Sequence, residues 1–207
     1  MRILHKFYIF LLILSLHGTL HAITLNNNKD TILALGMEMS NMRKMLESYI
    51  MIGAEIDYKH PDQKLKNGII HYETLLTTIE KKYPDDKTIQ ESILISRHAW
   101  KYVKEAMQLT LQHVSLERLK KGANFIHGNI RTVIKEMEHM KKYLLETSNI
   151  QDKEALNASI EIAASARRLS AHYMMALWHL NDPTIQKHWN KGLKIYGDSL
   201  EILKNSS

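Results

Sequence analysis

Arginines set among small and apolar neighbours raise the first chemical question in this chain. The stretch beginning at residue 160, IEIAASARRLSAHYMMALW, carries Arg167 and Arg168 in such a setting. A guanidinium presents a fixed fork of donors suited to a planar oxyanion or a carboxylate, and burying one unpaired costs several kcal/mol. On a helix, Arg167 shares a stripe with Leu156, Ile160, Ala163, Ser170, Met174 and Leu177, and is its only charged member. The neighbouring stripe, Ala155, Ala158, Ile162, Ala166, Leu169, Tyr173, Ala176 and Leu180, has the three- and four-residue spacing of a packed seam. Arg168 falls with Glu161, Ala164, Ala171 and Met175 on a more mixed face, and is expected nearer solvent.

The same device occurs earlier in the chain. Ile32, Gly36, Met39, Leu46, Ile50 and Gly53 form an apolar stripe in which Arg43 stands alone. Displacing the sequence by 124 positions places Arg43 on Arg167, Ala34 on Ala158, Tyr49 on Tyr173 and Met51 on Met175. The correspondence continues through the following turn, with Gly68 on Gly192, Tyr72 on Tyr196 and Leu76 on Leu200, while Lys44 meets Arg168. An internal repeat is therefore expected, with copies at about 29–82 and 153–206. The competing reading of each arginine is a surface cation, its stem laid on apolar neighbours or its head paired to a Glu of the next helix.

The elements that must position these residues are helices. Long stretches show apolar residues at three- and four-residue spacing with abundant Ala, Leu, Met, Lys and Glu, and no alternating strand-like runs interrupt them. The three prolines, Pro61, Pro84 and Pro183, each stand where a helix could begin, because the first turn leaves its amide without a partner. Helices are expected over about 29–57, 62–82, 87–112, 115–146, 152–180 and 184–204. The sequence HVS at 113–115 marks the expected break between the third and fourth, and TSNIQDKE at 147–154 the main link. The fold class predicted is all-α, a bundle of long antiparallel helices with a repeated helical hairpin.

Composition narrows the rest. MRILHKFYIFLLILSLHGTLHA has a basic start and an apolar run from Phe7 to Leu16, followed by small and polar residues up to Ala22. That is the pattern of a secretory signal peptide (1–22), cleaved near Ala22 and implying an exported protein, an uncleaved N-terminal anchor being the competing reading. The chain has no cysteine, which excludes disulfides, thiolate metal sites and covalently attached haem. The formal charge of +6 includes Arg2 and Lys6 of the leader, and the remaining cations are interleaved with Asp and Glu, so a nucleic-acid surface is not expected.

The residues around the second arginine pair also carry a family resemblance. IEIAASARRLSAH resembles the signature helix of the PilJ/NarX-like sensor domain, the type IV pilus methyl-accepting chemotaxis transducer N-terminal domain, which runs approximately I-N-x-A-G-x-x-R-M-L-S-Q-R. Ile160, Ala163, Arg167, Leu169 and Ser170 fit in register, whereas Glu161, Ala164, Arg168 and His172 replace its Asn, Gly, Met and second Arg. In the first copy Arg43 fits, but Leu46 and Ser48 replace the Ser and the second Arg. The resemblance extends through KNGIIHYETLLTTIE, ILISRHAWKYVKEAM and LERLKKGANFIHGNIRTVIKEME. It implies a periplasmic, extracytoplasmic sensor bundle in which a small anion such as nitrate or nitrite is held between two signature helices. Arg43 and Arg167 would each offer a guanidinium to it, with Ser170 and His172 as lesser contributors. With both copies in one chain, Arg43 and Arg167 are expected to converge on one anion within an internal pseudo-dimer, a homodimer being the alternative. The implied partner is a membrane-bound signalling protein to which the ligand state is relayed.

Other chemistry is less well supported. Glu136 and His139 form one E-x-x-H, but a di-iron bundle needs a second on another helix. His172, His179 and His188 lie around one hairpin at spacings that do not stack on one face, so no metal site is assigned. A b-type haem held by Met and His is conceivable, but the methionines are expected to fill core gaps and no cofactor is assigned. Trp100, Trp178 and Trp189 are expected to anchor packing. No nucleophile elbow, phosphate loop or paired catalytic carboxylates appear, so the chain is not read as an enzyme. The alternative function is a structural or adaptor bundle that binds a partner protein without a small ligand.

Overall fold

Helix starts are written into the chain by its capping residues. The structure, a computed structural model, describes residues 23–112, 114–180 and 185–206. The expected signal peptide, His113 of the expected break and Pro183 lie outside the described residues. Helix α1 (Asn28–Gly53) is capped by the Asn27 side chain, which accepts from the Asp30 amide at 2.9 Å. Helix α2 (Pro61–Lys82) opens with Pro61 after His60, whose φ is 53°. The carboxylate of Asp86 caps α3 (Lys87–Met107), which tightens into a 3-10 turn at Gln108–Leu111. Ser115 then caps α4 (Leu116–Thr147), so the third and fourth helices are separate. Helices α5 (Lys153–Leu177) and α6 (Ile185–Asn205) complete an all-α bundle without strands among the described residues. None of these helices is long and apolar enough to cross a membrane.

Consecutive helices are antiparallel. Glu38 of α1 meets His71 of α2, and Met45 lies against Gly68. Glu73 of α2 receives Nε1–H of Trp100 and the Lys104 ammonium of α3, while Ser92 of α3 reaches His139 of α4. Helix α1 is the hub, packing on α2, α4 and α5. Its core residues Ile32, Leu35, Met39, Met42, Met45, Leu46, Tyr49 and Ile50 join Tyr72, Trp100, Val133, Met137, Met140 and Met175 in one apolar cluster. The buried methionines are unbranched and fill the irregular spaces between helices that cross at differing distances.

The α1–α5 contact differs from the others because the two helices run parallel. Asn28 donates to Ser148 just before α5, Gly36 lies against Ile160, Arg43 reaches Ala164, and Gly53 lies against Trp178. Gly36 and Ile160 are equivalent under the 124-residue displacement, so the pair meets at corresponding heights. The two hairpins also pack alike: Gly68 admits Met45, and its counterpart Gly192 admits Leu169, the counterpart of Met45. A two-fold relation between the hairpins, with its axis along the α1–α5 pair, accounts for both contacts.

Gly36 lets α1 and α5 approach, because a Cβ there would lie 2.9 Å from Cγ1 of Ile160 and 3.2 Å from its Cβ, with Cγ2 nearer still. Ile160 is buried and stiff at χ1, so it cannot swing aside. Gly36→Ala is therefore expected to destabilise the fold by about 1–2 kcal/mol despite better helix propensity. Gly197→Ala, where no atom lies within 4 Å, should instead stabilise it by about 0.5–1 kcal/mol. Thermal melts of the two variants check the opposite signs.

Candidate functional site

Arg43 is buried by the fold of α1 against α4 and α5, only 8% exposed. Its Nη1 donates to Met39 O of its own helix at 3.3 Å and to Ala164 O of α5 at 3.1 Å. These acceptors are neutral, and no carboxylate among the described residues lies within ion-pair distance of it. Burial, with the nearby Arg168 charge, lowers its pKa to about 10, so Arg43 stays charged at neutral pH.

Arg43 faces a cleft of about 470 Å³ walled by α1, α4, α5 and α6. Its deep wall holds Arg43, His127, Arg168, Ala171 and His172, and its apolar wall Leu46, Ile130 and Ile134. The rim carries exposed Arg131, Lys135 and Lys191 against a single acidic residue, Glu138. Nη1 of Arg168 is buried and has no hydrogen-bond partner among the described residues, and the same holds for Nδ1 of His172. The nearest internal acid, Glu161, is already engaged: it takes the almost fully buried Lys141 ammonium at 2.6 Å. The cleft thus carries a surplus of buried donors and cations that the fold does not neutralise.

The sequence-predicted residues are distributed differently from expectation. Arg43 lines the cleft, and so does His172. Arg167 does not; it turns to the other side of the α1–α5 pair, where its Nη1 stands 3.8 Å from Oε2 of Glu47, close to Ser170 and Lys44. Arg168, expected nearer solvent, is the arginine that joins Arg43. The reason is the symmetry of the pair. A two-fold axis running along two parallel helices carries equivalent side chains to opposite sides, so Arg43 and Arg167 must diverge. The mixed face of α5 is accordingly also an inner one, with Ala164, Ala171 and Met175 buried. The expected seam is only partly inward: Ala158, Ile162 and Leu180 are buried and Ala166, Tyr173 and Ala176 are exposed.

Three histidines from three helices gather at the cleft. The His172 ring lies 5.6 Å from that of His127 and 5.7 Å from that of His188, stacked on the latter at an interplanar angle of 11°. His127, from α4, is the member that sequence reading missed; only its position on the inner face of an amphipathic helix marked it. His179 is exposed and lies apart from this group. No group of three His, Asp or Glu side chains among the described residues is arranged to hold a metal ion.

Burial, then the neighbouring His127, His188, Arg168 and Arg43, pushes the His172 pKa down to about 4. Between the ordinary histidine pKa of about 6.5 and that value, the unfolded chain takes up a proton that the folded chain refuses. Stability contributed by neutral His172 is therefore present above about pH 6.5 and is lost as the pH falls toward 4. Urea unfolding at pH 4.5, 5.5 and 7 should show a shallower loss on acidification for His172→Gln than for the parent protein. Comparison with protein-family models, with curated proteins and with solved structures finds no match.

Proposed function

We propose that this protein is an exported, sensor-like binding module that takes a small anion into the cleft between α1, α4, α5 and α6. The observation that carries the reading is the pairing of Arg43 with Arg168. Two guanidiniums from different helices line one cleft, neither has a carboxylate within ion-pair distance among the described residues, and one nitrogen of Arg168 is buried without an acceptor among them. An anion supplies the missing acceptors and offsets the repulsion between the two cations. Arg131, Lys135 and Lys191 at the rim raise the local concentration of anions. His172 and His127 are placed to add donors from the floor.

The resemblance to the PilJ/NarX-like sensors supports the same class of ligand, with nitrate or nitrite among those to be tried. In this reading the anion bridges α1 and α5, and its binding state is presented to a membrane-bound signalling partner. The role assigned to Arg167 passes to Arg168, while Arg167 and Ser170 hold Glu47.

Thermal melts in a panel of sodium salts at constant ionic strength test the proposal. At about a hundred times its dissociation constant a bound anion adds about 2.7 kcal/mol, a rise in Tm of roughly 5–10 °C for a chain of this size. Arg168→Met should remove that rise and Arg167→Met should keep it. Equal melting of the parent protein in every salt would favour the alternative, an adaptor bundle that binds a partner protein.

A further inference from the structure

The two sides of the α1–α5 pair are built from equivalent positions, but they differ in their acids. On the cleft side Glu161 is engaged by Lys141 and Glu138 stands exposed at the rim, whereas the other side holds a buried acid within its cation cluster. On the cleft side stand Arg43, Arg168, His172 and His188. Displaced by 124 positions, these are Arg167, Lys44, Ser48 and Lys64. On that second side Arg167, Lys44 and Lys64 surround Glu47, whose side chain is only 12% exposed. Burial is the largest influence on Glu47 and raises its pKa, while the Arg167 charge, the Ser170 hydroxyl and the charges of Lys44 and Lys64 pull it back toward the ionised form. The counterpart of Glu47 on the cleft side is Ala171, which is buried and lines the cleft. One side of the pair thus sets a carboxylate among its cations, and the other has Ala171 at the equivalent position.

We infer that the ligand of the cleft is a small organic carboxylate, its head group standing beside Ala171 where Glu47 stands on the opposite side of the pair. This rests on the anion-binding reading above and assigns its ligand class. The head group lies between Arg43 and Arg168 and accepts from the buried Nη1 of Arg168. Leu46, Ile130 and Ile134 provide an apolar wall for a carbon body. The size of the cleft agrees: a water takes about 30 Å³, so a four-atom oxoanion fills a small part of about 470 Å³. A side chain at position 171 decides whether the site is open.

Isothermal titration of the protein with acetate, butyrate, succinate, nitrate and sulfate tests the assignment. At least one carboxylate should bind with a stoichiometry of one and about tenfold or more tighter than nitrate. Ala171→Glu should weaken that carboxylate by more than about tenfold, because the new side chain occupies the head-group position. Glu47→Ala should empty the second side and raise the stoichiometry from one to two, which keeps the test decisive if Ala171→Glu does not fold. Tight binding of nitrate or sulfate with every carboxylate inert would overturn the carboxylate assignment and leave the anion reading standing. Binding of none of the five would overturn both. A stoichiometry that stays at one in Glu47→Ala would show that the two sides are not equivalent and would overturn the inference.

Discussion

The close, parallel contact between α1 and α5 is the constraint from which the remaining features follow. It is made where Gly36 removes a side chain and Ile160 fills the space. Because α1 already packs on α2 and α4, adding α5 leaves it buried on three sides. Any charged residue on its inward faces must then find a partner inside the protein. Glu38 does so, fully buried with His71 and Asn41 at 2.6 and 2.8 Å. Arg43 finds only two carbonyls.

Buried charge in this bundle is otherwise handled by pairing. Lys141 is matched by Glu161 across α4 and α5, and Glu47 by the cations around it. Pairing offsets part of the desolvation, although burial still raises the Glu47 pKa and lowers that of Lys44. Against that background the cleft side of the α1–α5 pair is the exception, because no carboxylate among the described residues lies within ion-pair distance of Arg43 or Arg168, and Glu161 and Glu138 act on Arg43 only from farther away. Such an imbalance is costly in a purely structural bundle and useful in a binding site, where the partner arrives from solvent. The depressed pKa of His172 has the same origin: burial and like charges keep it neutral.

The architecture was legible in the chain to within a few residues at each helix end. Pro61 marks a start that the structure keeps, Pro84 instead stands in the turn before α3, which begins at Lys87, and the seam between the third and fourth helices falls at the expected HVS. Arg43 was legible too, because an isolated cation on a continuous apolar stripe is visible in one helix at a time. The identity of its neighbour was not. Helical periodicity ranks the faces of α5 by composition, and by that measure the face of Arg168 is the more polar and should lie outward. That face is nevertheless inward because α5 sits beside α1 with α6 behind it, and the long stem of Arg168 packs there while its head turns into the cleft.

The sequence by itself therefore determined the helices, their order and the arginine that is buried. Capping, propensity and apolar spacing act within a few residues of each other, so one strand of text contains them. Which arginine meets Arg43, which histidines assemble, and which side of the pair carries its own acid were decided only by tertiary structure. These depend on the relative direction of α1 and α5. A parallel pair related by an axis along its length sends equal residues to opposite sides, and no local pattern records that direction.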